Sequence, residues 1–321
     1  MNGPATSLWC EKHGTYGLRN ERIATGDHDL VVETLVSAVS KGTERLVLEG
    51  RVPASERQRM RCPAQAGDFP FPVKYGYAAV GRVVAGPQER LGERVFALWP
   101  HQSWFAAPAD ALLPVPEAVP TARAAQAANI ETALNVVWDS GATPCDHVVV
   151  VGCGVVGLLI ARLLARMPGV VVTAVDTDPG KAAAAHAMGA AFALPDAAPT
   201  GADIAINASG RPEGLVCALA APGREATVVE ASWHGTDEAH LPLGGAFHAQ
   251  RLRIVSSQVG SLPPARAPRW THRRRLAAAL SLLDDDALDA LLTHRLPLEE
   301  APDRLPALLA DPGALAILLT Y

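Results

Sequence analysis

The stretch at residues 147–178 constrains the fold of this chain more than any other, and it reads HVVVVGCGVVGLLIARLLARMPGVVVTAVDTD. Four consecutive valines at 148–151 are typical of a strand buried on both faces of a parallel sheet. A glycine-rich turn follows at once, then an apolar helical run that a Pro-Gly pair ends. A second buried strand at 170–175 leads to Asp176. The stretch is therefore predicted to form a complete βαβ unit.

The glycine spacing in this unit matches the dinucleotide-binding fingerprint. Gly152 permits the tight turn, Gly154 lets the backbone approach a pyrophosphate, and Gly157 allows helix and strand to pack closely. The helix N-terminus, at Val155 and Val156, supplies amide donors and the positive end of the helix dipole. The alternative is an apolar βα turn that carries three glycines by chance, but the complete strand–loop–helix–strand context favours a bound dinucleotide.

The acidic residue at the end of the second strand indicates which dinucleotide is bound. Asp176 follows Gly157 by about 20 residues, the interval expected of the acid that accepts hydrogen bonds from the ribose hydroxyls. A carboxylate here repels a 2′-phosphate, and Thr177 and Asp178 offer no cation to hold one. NAD(H) is therefore predicted in preference to NADP(H). Lys181 is a candidate donor to the adenosine ribose, with a solvated lysine in the first turn of a helix as the alternative.

The composition excludes several classes of partner. A net charge of −5 over 321 residues offers no general attraction to nucleic acid or to an anionic membrane. The basic run at 272–275 is followed by three aspartates, a pattern typical of a solvated helix face. The longest apolar run, residues 148–161, is too short and too rich in glycine to span a bilayer. Five cysteines without CxxC spacing suit a reducing compartment, so a cytoplasmic location is predicted.

The rest of the chain divides into a β-rich part and a nucleotide-binding part. Residues 1–120 are predicted to be all-β, with the strand-like runs LVVETLVSAVS, GYAAVGRVVAG and ERVFALWP bounded by Gly and Pro. Residues 50–73 are predicted to form a long loop, either a lid over a substrate pocket or a plain surface loop. The arginines of this loop hint at an anionic or large polar substrate, with a soluble surface loop as the alternative. An alanine-rich helix at 121–137 leads into the nucleotide-binding part.

Polar residues follow the later strands of the nucleotide-binding part. Strands are predicted at 202–207, 226–231 and 253–260, with a helix at 271–283 beyond them. Because open α/β sheets bind ligands at the carboxyl ends of their strands, the loops after these strands are predicted to contact the cofactor. The candidate residues are Ser209, Ser232, Trp233 and Gln258.

The end of the chain makes the order of parts recognisable. The segment THRLPLEEAPDRLPALLADPGALAILLTY predicts a strand, a helix and a final strand that return to the β-rich part. Together with GYAAVGRV, GERVFAL and VVVVGCGVVG, this order resembles the medium-chain dehydrogenase/reductase superfamily over essentially the whole chain. The pattern SKGTE at 40–44 is also similar to the threonine-dehydrogenase-like and bacteriochlorophyllide-dehydrogenase-like branches.

This resemblance implies an α/β fold with a GroES-like β-rich catalytic domain and a Rossmann domain, whose doubly wound parallel sheet binds NAD. It implies a first catalytic segment at residues 1–128, a Rossmann domain at 129–261 and a return segment at 262–321 that completes the catalytic domain. It also implies a small-molecule substrate and a homodimer formed through the edges of the Rossmann sheets.

The sequence departs from the zinc-dependent alcohol dehydrogenases of this superfamily at their metal positions. Ser40 stands where these enzymes have a catalytic cysteine, Tyr77 where they have a histidine, and residues 127–129 bring no good ligand. Residues 95–125 contain no cysteine, so the structural-zinc lobe is missing as well. No zinc is therefore predicted. A rearranged metal site is the alternative, and its candidate ligands are Glu44, Glu131, His101 and Asp139.

Without zinc, a side chain must protonate the oxygen that develops negative charge as hydride arrives. The positions of the zinc ligands face the nicotinamide in the related fold, so Tyr77 is the predicted proton donor. Lys41 is predicted to lower the pKa of Tyr77 or to contact the cofactor pyrophosphate, and Ser40 and Thr43 to form a hydroxyl relay. The alternatives are core packing for Tyr77, a solvated turn lysine for Lys41, and capping of local backbone amides for Glu44.

These inferences predict an NAD(H)-dependent, zinc-independent oxidoreductase that transfers a hydride between nicotinamide and a small-molecule alcohol or ketone. One alternative is a reductase of an activated C=C or C=N bond, as in the quinone and enoyl reductases. Another is a non-catalytic NADH-binding sensor or interaction module. The polar residues around Tyr77 favour an enzyme, because a site without catalytic function is free to fill with apolar residues.

Overall fold

The computed structural model describes residues 4–23, 26 and 29–321, and the chain divides into two compact units. The first unit contains residues 1–128, 280–284 and 292–321. The second contains residues 129–279 and 285–291.

The secondary structure alternates between these units along the chain. In chain order the strands are β1 (Pro4–Lys12), β2 (Thr15–Arg22), β3 (Asp29–Val39), β4 (Ala66–Gly67), β5 (Val73–Lys74), β6 (Ala79–Ala85), β7 (Arg94–Ala97), β8 (Trp104–Pro108), β9 (Leu113–Pro114), β10 (His147–Val151), β11 (Val171–Val175), β12 (Ala191–Ala193), β13 (Ala202–Asn207), β14 (Pro222–Glu230), β15 (Arg253–Ser256), β16 (His294–Pro297) and β17 (Ile317–Thr320). The helices are α1 (Lys41–Leu48), α2 (Thr121–Ala124), α3 (Ala127–Ser140), α4 (Val155–Ala165), α5 (Ala182–Ala187), α6 (Pro212–Ala220), α7 (His272–Ser281) and α8 (Ala301–Ala310).

Strand β3 is the central element of the first unit. It pairs antiparallel with β17, β6 and β8, and the main sheet has the order β16-β17-β3-β6-β7-β9. Val32 of this strand packs with Val95 and Phe105 in a core of almost fully buried side chains. A smaller sheet has the order β2-β1-β5-β4. The β-rich character predicted for this part of the chain is therefore confirmed, and the last strand of the chain is a neighbour of its central strand.

The second unit is built on a six-stranded parallel sheet with the order β12-β11-β10-β13-β14-β15. Residues 148–151 of the central strand β10 are all buried, as expected for a strand with helices on both faces. The strand order reverses direction on either side of β10, and this is the point at which such sheets bind ligands. The predicted doubly wound fold is confirmed.

Two local elements differ from those that the sequence predicted. The single helix expected at 121–137 is two helices, α2 and α3. Residues 41–48 form helix α1, which the strand-like pattern before it did not predict. This helix is amphipathic and buries Leu46, Val47 and Leu48, so packing of its apolar face accounts for its formation more than local propensity does.

The return of the chain to the first unit begins later than the predicted boundary at residue 262. Residues 262–279 belong to the second unit, because Arg275 of α7 is buried there against α3. The Arg275 Nε donates to Glu131 Oε1 at 2.9 Å, and its Nη1 donates to Asn135 Oδ1. The basic run at 272–275 is thus not a continuous exposed patch, since Arg275 is 1% exposed and the Arg274 guanidinium lies over the Trp270 ring.

Among the residues that the structure describes, no helix is long and apolar enough to cross a membrane.

The buried ion pair between α7 and α3 generates a stability prediction. Replacing Arg275 with Ala leaves the Glu131 carboxylate buried without its charged partner, so we expect a loss of about 3–5 kcal/mol in the free energy of unfolding. Urea denaturation followed by circular dichroism measures this loss. Arg273→Ala, which removes an exposed arginine from the same helix, is the matched control and is expected to cost less than about 0.5 kcal/mol. Equal losses of unfolding free energy in both variants would contradict a stabilising role for the buried Arg275–Glu131 ion pair.

Candidate functional site

The glycine turn after β10 is fixed by close backbone contacts. Gly152 has a φ of +102°, and a Cβ there would lie 2.5 Å from the Ser209 Cα. A Cβ on Gly157 would lie 1.9 Å from the Gly152 carbonyl oxygen. Neither position can therefore hold a side chain in this backbone. Gly154 differs from both, because a Cβ there would meet no protein atom within 4 Å.

The first turn of α4 has the features of a phosphate-binding helix end. Gly154 is its N-cap residue and is exposed, and no side chain caps the helix. Val155 and Val156 in the first turn are half-buried. The amides at a helix N-terminus carry partial positive charge, and the space in front of Gly154 is open to receive an anion. This end of α4 fits the pyrophosphate of a dinucleotide.

The Asp176 carboxylate lies beside the glycine turn. Its Oδ2 accepts a hydrogen bond from the Cys153 amide at 2.7 Å, and its Oδ1 accepts one from the Asp178 amide at 3.0 Å. Each oxygen keeps a second lone pair, and the residue is half-buried rather than enclosed. The carboxylate is therefore held in position while it retains capacity to accept hydrogen bonds from a ribose diol.

The pKa of the Cys153 thiol is affected by charged side chains at this end of the sheet. Burial raises the pKa of Cys153 to about 12; the negative charge of Asp176 raises it too, and the Lys181 ammonium opposes them. Lys181 itself is buried, at 9% exposure, in the turn before α5. The alternative of a solvated lysine is therefore wrong, and Asp176 and Lys181 both lie close enough to Cys153 to act on it.

A polar cluster joins the ends of β13 and β14. Asn207 donates to Glu230 Oε2 at 2.8 Å and accepts from the Ser209 hydroxyl at 2.7 Å. The Ser232 amide donates to Glu230 Oε1 at 2.6 Å, and the Ser232 hydroxyl accepts from the Gly210 amide at 3.0 Å. The predicted residues Ser209 and Ser232 are thus brought together by Asn207 and Glu230. Asn207 and Glu230 are not among the residues predicted from the sequence, although an Asn that ends an apolar strand is a signal for such a cluster.

The two remaining candidates of the second unit stand in different surroundings. Trp233 is half-buried in the loop after β14, beside His234, whose Nε2 lies 3.3 Å from Glu230 Oε2. Gln258 is exposed, and its side-chain oxygen accepts from the Gly260 amide at 2.6 Å within its own loop. Arg275 donates hydrogen bonds to the backbone carbonyls of Val259 and Ser261 and so fixes the position of that loop.

In the first unit, three of the four predicted catalytic residues come together. Tyr77 is hydrogen-bonded to the side chains of Ser40 and Thr43, and all three residues are half-buried. The Tyr75 ring meets the Tyr77 ring edge-on, with 5.9 Å between the ring centroids. Burial raises the pKa of Tyr77 to about 12, and the negative charge of Glu44 raises it too, while the hydrogen bonds to Ser40 and Thr43 oppose both effects. The phenol is therefore protonated at neutral pH.

Lys41 does not have the surroundings that the sequence suggested. Its ammonium donates to the backbone carbonyl of Ala314 at 2.9 Å and to that of Asp311, and so ties α1 to the turn before β17. The expected role of Lys41 in lowering the Tyr77 pKa is not supported, because its charge is engaged at this turn. The alternative of a solvated turn lysine is not supported either, since two carbonyls bind it.

Behind Tyr77 lies a buried polar chain that sequence reasoning missed. His101 is 1% exposed, and its Nε2 lies 3.0 Å from Glu44 Oε2 while its Nδ1 lies 2.7 Å from the Ser37 hydroxyl. Ser37 Oγ lies 2.7 Å from the Tyr321 hydroxyl. The other oxygen of Glu44 accepts from the Ser40 amide at 2.8 Å, so the interpretation of Glu44 as a cap of local amides is also correct. These residues are so far apart in the sequence that no periodic pattern predicts their contact.

The candidate ligands of a rearranged metal site are all engaged with protein partners. Glu44 and His101 bind each other, Glu131 binds Arg275, and Asp139 Oδ2 accepts from the Ser257 hydroxyl at 2.6 Å. Among the described residues, no group of three or more His, Cys, Asp and Glu side chains is arranged to hold a metal ion. The side chains at the zinc positions of related enzymes, Ser40 and Tyr77, do not fit zinc either.

Three of the four arginines of the 50–73 loop bind carboxylates of the same unit. Arg51 pairs with Glu49 at 2.9 Å, Arg59 pairs with Glu56 at 2.7 Å, and Arg61 pairs with Asp68. These pairs neutralise much of the positive charge that hinted at an anionic substrate. The interpretation as a surface loop is therefore favoured.

Comparisons with known proteins agree with this geometry. No protein-family model matches the chain. The 2-desacetyl-2-hydroxyethyl bacteriochlorophyllide A dehydrogenase of Cereibacter sphaeroides is 27% identical to it, over 91% of this chain and 90% of that protein. Among solved structures, L-idonate 5-dehydrogenase from Escherichia coli superposes with a TM-score of 0.81 at 14% identity, covering 100% of this chain and 99% of that one.

Two further solved structures contain a nicotinamide cofactor. An Escherichia coli CFT073 protein described as a short chain alcohol dehydrogenase, in complex with NADH, has a TM-score of 0.78 at 19% identity, over 99% of this chain and 100% of that one. A Sinorhizobium meliloti protein assigned as a zinc-binding dehydrogenase, bound to NADP, has a TM-score of 0.78 at 20% identity, over 99% of both chains. The order of parts along the chain, the glycine turn and these likenesses together show that this protein has the fold of the medium-chain dehydrogenase/reductase superfamily of NAD(P)-dependent oxidoreductases.

Proposed function

We propose that this protein is an NAD(H)-dependent oxidoreductase that interconverts a small-molecule ketone and alcohol, with Tyr77 instead of zinc as the group that protonates the substrate oxygen. The observation that carries the proposal is the cluster of Tyr77, Ser40 and Thr43, a protonated phenol with two hydroxyl partners. These residues stand at, or next to, the positions that face the nicotinamide in the resembling enzymes. The bacteriochlorophyllide dehydrogenase relative also acts, by its name, as a dehydrogenase.

The chemistry assigned to the chain's own residues is proton donation. When bound, the nicotinamide supplies the hydride. Tyr77 donates its proton to the oxygen on which negative charge develops, and the hydroxyls of Ser40 and Thr43 then stabilise the phenolate by hydrogen bonds. Because the phenol pKa is raised to about 12, the acid form is fully populated at neutral pH. Tyr77 is therefore prepared to act as an acid without a metal ion.

The preference for NAD(H) is supported by the position of Asp176. Its carboxylate lies at the end of β11, bonded to the amide of the glycine turn, and carries negative charge where a 2′-phosphate would have to be accommodated. The Lys181 ammonium acts on the same Cys153 thiol as Asp176 does, but Lys181 is buried. NADP(H) would therefore meet electrostatic repulsion that NAD(H) avoids.

The rival functions make different demands on the same residues. Reduction of an activated C=C or C=N bond would use the same phenol as proton donor, so the bond that reacts is decided by assay. A sensor would bind NADH without turnover, and it would place no demand on the hydroxyls around Tyr77. The retention of three hydrogen-bonded hydroxyls at that place favours catalysis over sensing.

The first prediction tests where the cofactor phosphates bind. Gly154→Ala introduces a methyl group that meets no protein atom, so the free energy of unfolding is expected to change by less than about 1 kcal/mol. The same methyl group obstructs a pyrophosphate, and the Kd for NADH is expected to rise about tenfold or more, equivalent to about 1.4 kcal/mol. NADH fluorescence titration and thermal unfolding measure the two effects. Unchanged NADH affinity would remove Gly154 from the binding site.

A second prediction concerns the choice between the two nicotinamide cofactors. Asp176→Asn keeps the shape of the side chain but removes its charge, so the ratio of the Kd for NADPH to that for NADH is expected to fall about tenfold. Asp196→Asn, which neutralises an exposed carboxylate of the same unit, is the control and should leave the ratio unchanged. If the wild-type protein binds NADPH more tightly than NADH, the proposed preference is wrong.

The proton donor is tested by removing a single hydroxyl. Tyr77→Phe is expected to lower the rate of NADH-dependent reduction by about a hundredfold or more, with little change in the Kd for NADH, because general acid catalysis contributes about that much. The assay uses a panel of ketones, quinones, enones and cyclic imines with NADH, which also identifies the bond that reacts. The wild-type reduction rate is expected to be flat from about pH 6 to about pH 9, where the phenol stays protonated.

Elemental analysis and chelation provide the control for this experiment. Purified protein without stoichiometric zinc, whose activity survives chelation, agrees with a tyrosine acid. Zinc near one per chain, with activity lost on chelation, would replace Tyr77 by a metal in the proposed mechanism. Full activity of Tyr77→Phe in metal-free protein would exclude the phenol as the acid.

A further inference from the structure

A buried series of polar side chains, Tyr321, Ser37, His101 and Glu44, lies in the first unit and has no role in the proposed chemistry. Ser37 is 0% exposed, His101 1% and Glu44 3%, so bulk solvent does not reach these side chains. Polar groups buried in this way persist only when every donor and acceptor is satisfied. Their partners are therefore informative about their protonation states.

The partners of Tyr321, Ser37, His101 and Glu44 favour one direction of hydrogen-bond donation, from Tyr321 towards Glu44. The Tyr321 oxygen accepts a bond from the Gln102 backbone amide, so the Tyr321 hydrogen is directed to Ser37. The Ser37 hydroxyl hydrogen is then available to Nδ1 of His101, and with this donation Nδ1 is the ring nitrogen without hydrogen. The hydrogen of His101 is consequently on Nε2, from which it is donated to Glu44 Oε2.

With this direction of donation, Glu44 is the final acceptor of the series of hydrogen bonds. Its Oε2 accepts from a neutral imidazole and its Oε1 from the Ser40 amide, and an ionised carboxylate is the form that accepts at both oxygens. A buried carboxylate without a cationic partner is costly, and an apolar residue of similar volume would serve packing at least as well. The charge itself therefore needs a functional explanation.

Glu44 is connected to Tyr77 by two routes. Its bond to the Ser40 amide fixes the start of α1, and the side chains of Ser40 and Thr43 from that turn bind the Tyr77 hydroxyl. Its negative charge also acts directly on the phenol. Within the part of the chain that the structure describes, the other titratable groups that act on Tyr77 are the Cys62 thiol and the edge-on Tyr75 ring, neither of which is charged at neutral pH.

We propose that Glu44, held by His101, is a positioning residue for the catalytic tyrosine: it orients the Ser40–Thr43 turn under the phenol and places one fixed negative charge behind it. The inference rests on the proposed function of Tyr77 and deepens it. The charge opposes loss of the phenolic proton until a substrate oxygen takes it, and the two hydroxyls receive the phenolate that then forms. The same arrangement returns Tyr77 to its acid form after each turnover.

The first test uses the wild-type protein and needs no substrate. Nitrogen-15 NMR of uniformly labelled protein, with the His101 signals identified by their absence in His101→Gln, reports which ring nitrogen carries hydrogen. The expected result at neutral pH is hydrogen on Nε2 and none on Nδ1. A His101 ring protonated at both nitrogens would overturn the proposal, because an imidazolium would neutralise the Glu44 charge. A ring protonated at Nδ1 alone would overturn it too, because Nε2 could then not donate to Glu44.

The second test measures the effect of the charge on Tyr77. The four tyrosines are replaced by 3-fluorotyrosine, and fluorine-19 NMR follows each phenol through alkaline titration, with Tyr77→Phe identifying the Tyr77 signal. Glu44→Gln is expected to lower the Tyr77 midpoint by about one pH unit, the size expected of one charge a few ångströms away. Glu49→Gln, at the other end of α1, is the matched control and is expected to leave the midpoint in place. An unchanged midpoint in Glu44→Gln would overturn the proposal.

Turnover separates a positioning role from a merely structural one. With the most rapidly reduced compound of the carbonyl panel, Glu44→Gln is expected to lower kcat about tenfold or more while the Kd for NADH changes less than about twofold. The alkaline fall of its reduction rate is expected at a lower pH than in wild type, in step with the fluorine titration. A proportional loss of NADH binding, or an unshifted pH profile, would indicate structural damage and contradict the proposal.

The failure of this inference and that of the proposed function are distinguishable. If no compound of the panel is reduced, the proposed reaction fails, while the histidine and fluorotyrosine measurements still decide the arrangement of Glu44 and Tyr77. If the panel yields turnover that requires Tyr77 but Glu44→Gln shifts neither the titration nor the rate, the reaction stands and the role of Glu44 is rejected.

Discussion

The contact between the Gly152 turn and Ser209 is the constraint on which the nucleotide-binding unit depends. The backbones of two loops that follow neighbouring strands meet there, with no room for a side chain on Gly152. Gly157 is equally restricted by the Gly152 carbonyl, so α4 must begin directly above the end of β10. Because both glycines serve the fold, Gly154 is the one glycine of the fingerprint that remains open to a ligand.

The first unit depends on a different constraint, which is the return of the chain to its central strand. β17 pairs with β3 in a register that places Leu319 opposite Ser37, and Tyr321 follows the end of this strand. The same return places the turn at 311–314 where its carbonyls bind Lys41 of α1. The position of α1 is therefore set from both sides, by the Glu44–His101 bond and by the Lys41 contacts. The residues grouped around Tyr77 are therefore held in place by contacts between segments that are distant in the sequence.

The parts of the structure that the sequence could predict are those with a local signal. Four consecutive valines identify β10, and the glycine spacing with Asp176 identifies the dinucleotide site, because one βαβ unit contains all of these residues. The Ser40, Thr43 and Tyr77 cluster was reached through resemblance, since the two segments are separated in the chain. The fold follows from many such local signals that agree with one another.

The parts that could not be predicted rest on side-chain pairs that are distant in the chain. The His101–Glu44 bond spans 57 residues and the Ser37–Tyr321 bond 284, and neither leaves a periodic pattern. Arg275 is indistinguishable in sequence from its basic neighbours, yet it alone is buried, because its helix packs on Glu131 and Asn135. The contacts of Lys41 leave no local signal for the same reason, since the carbonyls that bind it come from the turn at 311–314.

The surroundings of Tyr77 also bear on the direction of the proposed reaction. A phenol with its pKa raised to about 12 is an acid that is always loaded at neutral pH, whereas its conjugate base is scarcely populated there. Alcohol oxidation requires that base, so its rate is limited by the small phenolate fraction and rises with pH. A nearby ammonium would reverse this balance, but the Lys41 ammonium is bound to the carbonyls at 311 and 314. The Glu44 carboxylate instead acts on the phenol, and its charge raises the Tyr77 pKa. In the proposed mechanism the electrostatics of the unit therefore favour reduction of the carbonyl over oxidation of the alcohol.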